Sequence, residues 1–240
     1  MDLRVEQPNF SDTDAVFHLA ARVTGIRHDD EASTLIDNLR MDFNVVEACI
    51  KGNVRKLVYA SSCAAEIGKD SGYGWGKLTT EKLLAQTTIQ SVILRFFNVY
   101  GPGESFTGST HVIPELLRKV LWEEHVSVYG DGSQTRPFLY VDDAVDAYMR
   151  ALTAQSDGMP IDIGGAEQVS VGRLLHVIMK VTGRSPSLSF DESAPVGPKK
   201  IIPDLRRAEE ILGWTQKTSI EEGIRKTAEW MRTVHTPSVQ

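Results

Sequence analysis

Through the first hundred residues, short apolar runs alternate with longer amphipathic stretches, and this restricts the chain to βα units that feed a parallel sheet. Ala15-Val16-Phe17-His18-Leu19-Ala20 reads as a strand. Over 31–50, Leu35, Leu39, Phe43, Val46 and Ile50 recur at helical spacing, and Gly52-Asn53 supplies the stop. Lys56-Leu57-Val58-Tyr59-Ala60 is the next strand. A helix that begins near Gly72 continues over 79–86. Val92-Ile93-Leu94-Arg95-Phe96-Phe97 then forms a third strand, nearly all apolar, as a strand covered on both faces must be. The order is β-α-β-α-β.

Beyond Gly101-Pro102-Gly103 the turn signals crowd together, at Gly130-Asp131-Gly132, Gly158-Met159-Pro160, Gly164-Gly165 and Gly183-Arg184. Shorter elements follow from that spacing. Helices are predicted over 114–124, 142–154, 171–182 behind a Ser170 cap, and 220–232 behind Ser219. Asp142 and Asp143 then stand at a helix start, where carboxylates suit the macrodipole and serve as caps. A length of 240 residues suits two lobes sharing one cleft. The expected division is a sheet domain over 1–100 and a smaller C-terminal α/β lobe over 101–240, with about 137–154 packing back on the first domain.

The charge balance is 26 Lys plus Arg against 32 Asp plus Glu, a net −6, which argues against a basic nucleic-acid binder. Hydrophobic residues make up 41%, enough with the 19 glycines for a real core. Cys49 and Cys63 provide no disulfide framework, so a reducing, cytoplasmic setting is expected. No apolar run approaches the roughly 18 residues of a membrane span, and Met1-Asp2-Leu3-Arg4 does not open a signal peptide. No membrane association is expected. The six histidines lack the i, i+4 pairing or cysteine neighbours of a zinc site, so no metal is expected.

Chemistry is concentrated between two of these elements. Ser61-Ser62-Cys63 closes a strand, and Tyr73-Gly74-Trp75-Gly76-Lys77 opens a helix. Positions four apart share a helical face. An ammonium beside a phenol favours the phenolate, so Tyr73 could act as a base near neutrality while Ser62 holds the hydroxyl being deprotonated. Taken by themselves, the residues leave open an exposed helical pair with no chemical role.

The segments around this pair resemble, in order, the extended short-chain dehydrogenase/reductase superfamily, and within it the NAD-dependent epimerase/dehydratase family acting on nucleotide sugars. The resemblance is carried by Asp14-Ala15-Val16-Phe17-His18-Leu19-Ala20-Ala21, Asn38, the Ser-Ser-Cys strand end and Tyr-x-x-x-Lys. Arg95-Phe96-Phe97-Asn98-Val99-Tyr100-Gly101-Pro102, Val128-Tyr129-Gly130-Asp131-Gly132 and Arg136-Pro137-Phe138-Leu139-Tyr140-Val141-Asp142-Asp143 continue it. Pro203-Asp204 and Leu212-Gly213-Trp214 complete it, so it covers almost the whole chain. It implies a Rossmann-like parallel sheet with helices on both faces and a C-terminal substrate lobe.

On this resemblance Tyr73 is the catalytic base, Lys77 its tuner and a ribose ligand, and Ser62, rather than Ser61, the hydroxyl positioner. The cofactor is NAD, with NADP left open, and its implied neighbours are Asp2, Leu3, Leu19, Ala20, Ala21, Asn38, Tyr73, Lys77 and Phe96. Small side chains at Ala20 and Ala21 let a dinucleotide lie against the backbone. The substrate is a nucleotide-diphosphate sugar. Ser62, Asn98, Arg136 and Lys199 face it, a guanidinium fork being well made for phosphate oxygens. A homodimer is implied as well.

Three departures from the family pattern shape the expectations. No Gly-x-Gly-x-x-Gly or Gly-x-x-Gly-x-x-Gly run follows a strand, and Asp2-Leu3-Arg4 resembles the family segment after its third strand. The opening βαβ units, roughly a third of the Rossmann lobe, are therefore expected to be absent, leaving the strand from Ala15 with an apolar edge. Only Cys63 to Gly72 separate Ser62 from Tyr73, where the family has a longer substrate-covering loop. Ser193-Ala194-Pro195-Val196-Gly197-Pro198-Lys199-Lys200 offers lysines where many epimerases place an Arg and an Asp.

A 4,6-dehydratase would want an acid pair directly after Ser62, and Cys63-Ala64 supplies none; a 3,5-epimerising enzyme would want an acid/base group where Ala64 sits. C4 epimerisation leads, with dehydratase or reductase chemistry behind it. The reading from another class is a catalytically silent relative acting as a binding or assembly subunit, or a fragment.

Overall fold

The computed structural model describes residues 1–23, 31–67, 71–106, 111–194 and 197–234. Along the chain the elements are β1 (Ala15–His18), α1 (Glu31–Lys51), β2 (Lys56–Ser62), α2 (Ala64–Ile67), α3 (Gly72–Leu84), β3 (Gln90–Phe96) and β4 (Val99–Tyr100). Next come α4 (Val112–Trp122), β5 (His125–Tyr129), β6 (Thr135–Arg136), β7 (Leu139–Tyr140), α5 (Val141–Thr153), β8 (Ile161–Ile163) and β9 (Val169–Ser170). The chain ends with α6 (Val171–Thr182), β10 (Ser187–Asp191), α7 (Arg206–Leu212) and α8 (Ile220–Val234). It divides into two compact units. The first holds Met1–Phe97, Val145–Ile163 and Asp204–Thr215; the second holds Asn98–Ala144, Gly164–Pro203 and Gln216–Gln240.

The first unit is built on a parallel sheet ordered β1-β2-β3-β8. Leu57 and Tyr59 of β2 and Ile93 of β3 meet Val45, Val46 and Cys49 of α1 and Leu84 of α3 in one core. Alternate residues point the other way. Phe17 and Phe96 meet Tyr148 of α5, with ring centroids at 6.0 and 4.9 Å, and the Lys56 ammonium donates to the Ala154 carbonyl at 2.5 Å. Helices therefore flank the sheet on both faces. β1 forms one edge, and its Phe17 is 38% exposed. β2 and β3 pair from Lys56 opposite Gln90 to Ser62 opposite Phe96, which sets Ser62 at the carboxyl rim, where open parallel sheets bind ligands.

Strand limits differ from the apolar runs where pairing partners stop. β1 ends at His18 opposite Tyr59, so Leu19 and Ala20 lie past the end of the strand, at the rim. β3 begins earlier, at Gln90, because its ladder with Lys56 supplies backbone partners that apolarity does not report.

The second unit packs α4, α6 and α8 around Leu117, Val126, Leu174, Ile178 and Ile224. β5 pairs with β10 in parallel, β4 with β7 in parallel, and β6 with β9 antiparallel. The Ser170 hydroxyl accepts the Arg173 amide at 3.1 Å to start α6, and Gly183, at φ +69°, ends it. Gly223 is required by close approach: a Cβ there would lie 2.0 Å from the Tyr100 hydroxyl. Asp143 takes on more than helix-start capping. It is buried, and its carboxylate accepts the Thr218 amide at 2.9 Å, tying down the segment before α8.

Candidate active site

Ser71 caps α3 by accepting the Gly74 amide at 3.0 Å, and the helix it starts carries Tyr73 and Lys77 on one face. Gly76, between them, lets α3 lie close to α1; a Cβ there would come within 3.3 Å of the Asn38 Cβ. Tyr73 reaches the end of β2, where its phenol approaches the Ser62 hydroxyl closely enough for its pKa to be lowered by it. Lys77 is only 2% exposed. Its ammonium donates to the Ala60 carbonyl at 2.8 Å and lies 4.6 Å from the centroid of the Tyr59 ring and 5.8 Å from that of Tyr73. Serine, phenol and ammonium are thus gathered at one sheet rim.

The pleat separates the two serines. The Ser61 hydroxyl donates to the buried Glu81 carboxylate at 2.5 Å, whereas Ser62 accepts the Ala64 amide at 3.2 Å and meets Tyr73. Ser61 is committed to structure, and Ser62 is the serine beside the phenol.

In the protein by itself, burial governs the protonation of both groups. Burial pushes the Tyr73 phenol up to about 12, against the lowering effect of the Ser62 hydroxyl. Burial also pulls the Lys77 ammonium below its ordinary value, opposed by Asp42 and Glu81. The physical reason is desolvation: both groups lose water that would stabilise their charged forms. In this protein Tyr73 is a neutral phenol at neutral pH.

Leu19, Ala20 and Ala21 follow β1 at the same rim, Leu19 being exposed and the alanines half-buried. Both amide atoms of buried Asn38 hold the next residue, Arg22. Its oxygen accepts the Arg22 amide at 2.7 Å and its nitrogen donates to the Arg22 carbonyl at 3.0 Å. Asn38 therefore holds this segment through its backbone. Asp37 receives Arg22 at 2.9 Å and Arg4 at 3.6 Å, which ties the N-terminal segment to the same stretch. The Asp2 carboxylate is engaged by Arg4, which holds it down at about 2. Leu3 packs on the core, and its carbonyl accepts Asn44 at 2.8 Å. Phe96 stacks with Tyr148.

The remaining three residues lie in the second unit. Asn98 has a left-handed backbone, φ +46°, and its buried side-chain oxygen has no hydrogen-bond partner. Its carbonyl accepts the Leu139 amide. Arg136 donates to the carbonyls of Thr135 and Pro198, each at 2.7 Å, and the Thr135 amide donates to the Lys199 carbonyl at 3.0 Å. Arg136 and Lys199 are thereby neighbours. The middle of the 193–200 segment, Pro195 and Val196, lies outside the described residues, as do residues 68–70 of the stretch between Ser62 and Tyr73.

A buried polar group around Asp42 is absent from the motif reading. Its carboxylate accepts from His18, Tyr59 and Thr80, and it lies beneath the Tyr73–Lys77 helix. The available signal was a charged residue four positions after Asn38 on the inward face of α1. Among the described residues no cluster of three or more His, Cys, Asp or Glu side chains could hold a metal. No described helix is long and apolar enough to cross a membrane.

Residues 5–164 match the model of the NAD dependent epimerase/dehydratase family, two-thirds of the 240-residue chain. The chain belongs to that family. Among the relatives of this epimerase/dehydratase family member is a GDP-L-fucose synthase of Sinorhizobium fredii, 32% identical, with 90% of this chain and 78% of that protein aligned. Its fold is shared with a UDP-glucose 4-epimerase from Thermotoga maritima, solved with UDP-glucose (TM-score 0.82, 30% identity, 92% of this chain and 77% of that one). It is shared equally with a UDP-glucuronic acid 4-epimerase from Bacillus cereus, solved with UDP-glucuronic acid and NAD (TM-score 0.82, 28% identity, 93% and 77%).

Proposed function

We propose that this chain is an NAD-dependent nucleotide-sugar epimerase that inverts a sugar hydroxyl at C4 through a 4-keto intermediate. The carrying observation is the gathering of Ser62, Tyr73 and Lys77 at the carboxyl rim of a parallel sheet, Ser62 closing β2 and the Lys77 ammonium lying 5.8 Å from the centroid of the Tyr73 ring. Ser62 holds the C4 hydroxyl, and Tyr73 takes its proton and later returns it. Arg136, Lys199 and Asn98 bind the diphosphate, the unpartnered Asn98 oxygen being a group that a ligand donor would satisfy.

The residues present fit the nicotinamide-ribose end of a dinucleotide. Lys77 has ammonium protons beyond the one on Ala60, Ala20 and Ala21 leave room at the backbone, and Asn38 holds the Arg22 backbone next to them. NAD, when bound, supplies the hydride acceptor and the positive charge that would bring the Tyr73 phenol down from about 12. The pyrophosphate is assigned to no residue of this chain, since none of its 19 glycines forms a glycine-rich turn after a strand. Epimerisation is favoured over dehydration because Cys63 and Ala64 follow Ser62, and the nearby acid, Glu66, is paired with Arg95 at 2.9 Å.

Incubating the protein with NAD and UDP-glucose or UDP-glucuronic acid, with proton NMR of the anomeric signals, tests this reading. Appearance of the C4 epimer is expected. NAD at 100 times its dissociation constant should also stabilise the fold by about 2.7 kcal/mol, read as a rise in melting temperature. No epimer and no thermal shift at millimolar NAD would favour a silent binding subunit.

The proposed assembly is a homodimer through α1, whose Ile36, Phe43 and Ile50 recur every seven residues and are each at least 44% exposed. Phe43→Glu should convert a dimer to a monomer in light scattering behind size exclusion. A monomeric unsubstituted protein would overturn the proposal.

A further inference from the structure

We infer that Asp42 is a positioning residue for the Tyr73–Lys77 pair: a buried carboxylate set beneath Lys77 across the ring of Tyr59. The inference rests on the catalytic reading of Tyr73 and Lys77 for its effect on turnover, while the coupling of charges belongs to the free protein.

Asp42 is 1% exposed and lies one turn beyond Asn38 on the inward face of α1. Leaving a carboxylate dry is costly unless donors surround it. Here three elements supply them. His18 of β1 donates Nε2–H to Oδ1 at 2.7 Å, while Tyr59 of β2 and Thr80 of α3 donate hydroxyls to Oδ2 at 2.8 and 2.7 Å. Despite burial, the His18 and Thr80 hydrogen bonds and the charge of Lys77 hold Asp42 below the usual carboxylate range, so it is an anion at neutral pH.

Tyr59 joins the two charges. Its hydroxyl is on Asp42, and the Lys77 ammonium lies over its ring at 4.6 Å, a cation–π distance. The groups facing Lys77 are Tyr59 and the Ala60 carbonyl from β2, Asp42 from α1, and Tyr73 and Glu81 from its own helix. Burial works against the ammonium, and Asp42 opposes it first, Glu81 second. Glu81 is already matched to the guanidinium of Arg95 at 2.7 and 2.8 Å. That leaves Asp42 as the counter-charge that keeps Lys77 cationic next to the phenol. Asp42 also acts directly on Tyr73, disfavouring the phenolate, so its useful contribution passes through Lys77.

The test is the titration of Lys77 in the free protein, by NMR of labelled lysine side chains, the signal being assigned by its loss in Lys77→Met. In Asp42→Asn, and in Asp42→Thr should the first not fold, the Lys77 midpoint is expected to fall by at least one pH unit. Asp42→Glu should restore it. With NAD and sugar nucleotide, the alkaline limb of kcat should move down by the same interval, with KM within about twofold. An unchanged Lys77 midpoint in a folded neutral variant overturns the inference, whatever happens to activity. A shifted midpoint in a protein that turns over no sugar nucleotide leaves the inference standing and removes the epimerase reading.

Discussion

Tyr73→Phe is expected to lower kcat by about 10²- to 10⁴-fold, the usual reach of a positioned acid–base group, while the NAD-induced rise in melting temperature stays within a degree or two. Phenylalanine keeps the ring beside Lys77 and deletes the one atom that can carry the proton, so a binding contribution and a chemical one separate cleanly. Ser62 loses its partner in that variant but keeps the Ala64 amide at 3.2 Å, so the strand end should hold. Ser62→Ala should cost less, because a hydroxyl that positions the substrate can be replaced by water more readily than a proton carrier can. Stopped assays scored by anomeric NMR signals would measure both. Turnover by Tyr73→Phe within tenfold of the unsubstituted protein would remove Tyr73 from the chemistry.

The parts of the fold that could be read in the sequence are those whose stability is local. The helix over Val171–Thr182 carries its start in Ser170 and its stop in Gly183, and both act as their chemistry dictates. β2 and β3 were legible because strands covered on both faces must be apolar throughout. β8 was not: Ile161-Asp162-Ile163 is three residues with a polar centre, and it becomes a sheet strand only through its pairing with β3. α7, Arg-Arg-Ala-Glu-Glu-Ile-Leu, is mostly charged and short, and its place depends on buried Ala208 and Leu212. Such elements are decided by distant partners that periodicity does not contain.

The same division runs through the candidate site. Tyr73 and Lys77 were legible because a spacing of four has one meaning on a helix, and Ser62 because it closes a strand. The effect of burial on the phenol was not, because burial is a tertiary property. Asn38 shows a further limit. Its position was recoverable, but its hold on the Arg22 backbone depends on where the chain runs after β1. Asp42 lay outside any motif, and its three donors come from residues 24, 17 and 38 positions away.

Glu81→Ala should be among the most destabilising single changes in the first unit, although Glu81 is placed in no chemical step. Its carboxylate, 3% exposed, receives the Ser61 hydroxyl at 2.5 Å and the Arg95 Nε and Nη2 at 2.8 and 2.7 Å. Removing one member of a buried pair typically costs 3–5 kcal/mol, because the partner charge stays dry. Arg95 is 17% exposed and keeps Glu66 at 2.9 Å, so the loss belongs at the lower end, about 3 kcal/mol. For a chain of this size that corresponds to a fall of roughly 6–12 °C in melting temperature. Glu81→Gln, which can still accept from Ser61, should lose less. Urea unfolding and calorimetry would measure both, and an alanine variant within about 0.5 kcal/mol of the parent would show that the network contributes nothing net. The network also reaches the strand end, because Glu81 accepts the hydroxyl of Ser61, the residue before Ser62 in β2. Without it the Ser61 hydroxyl loses its acceptor, while the pleat still points Ser62 to the other face, so the loss should be read in stability and not in the assignment of Ser62.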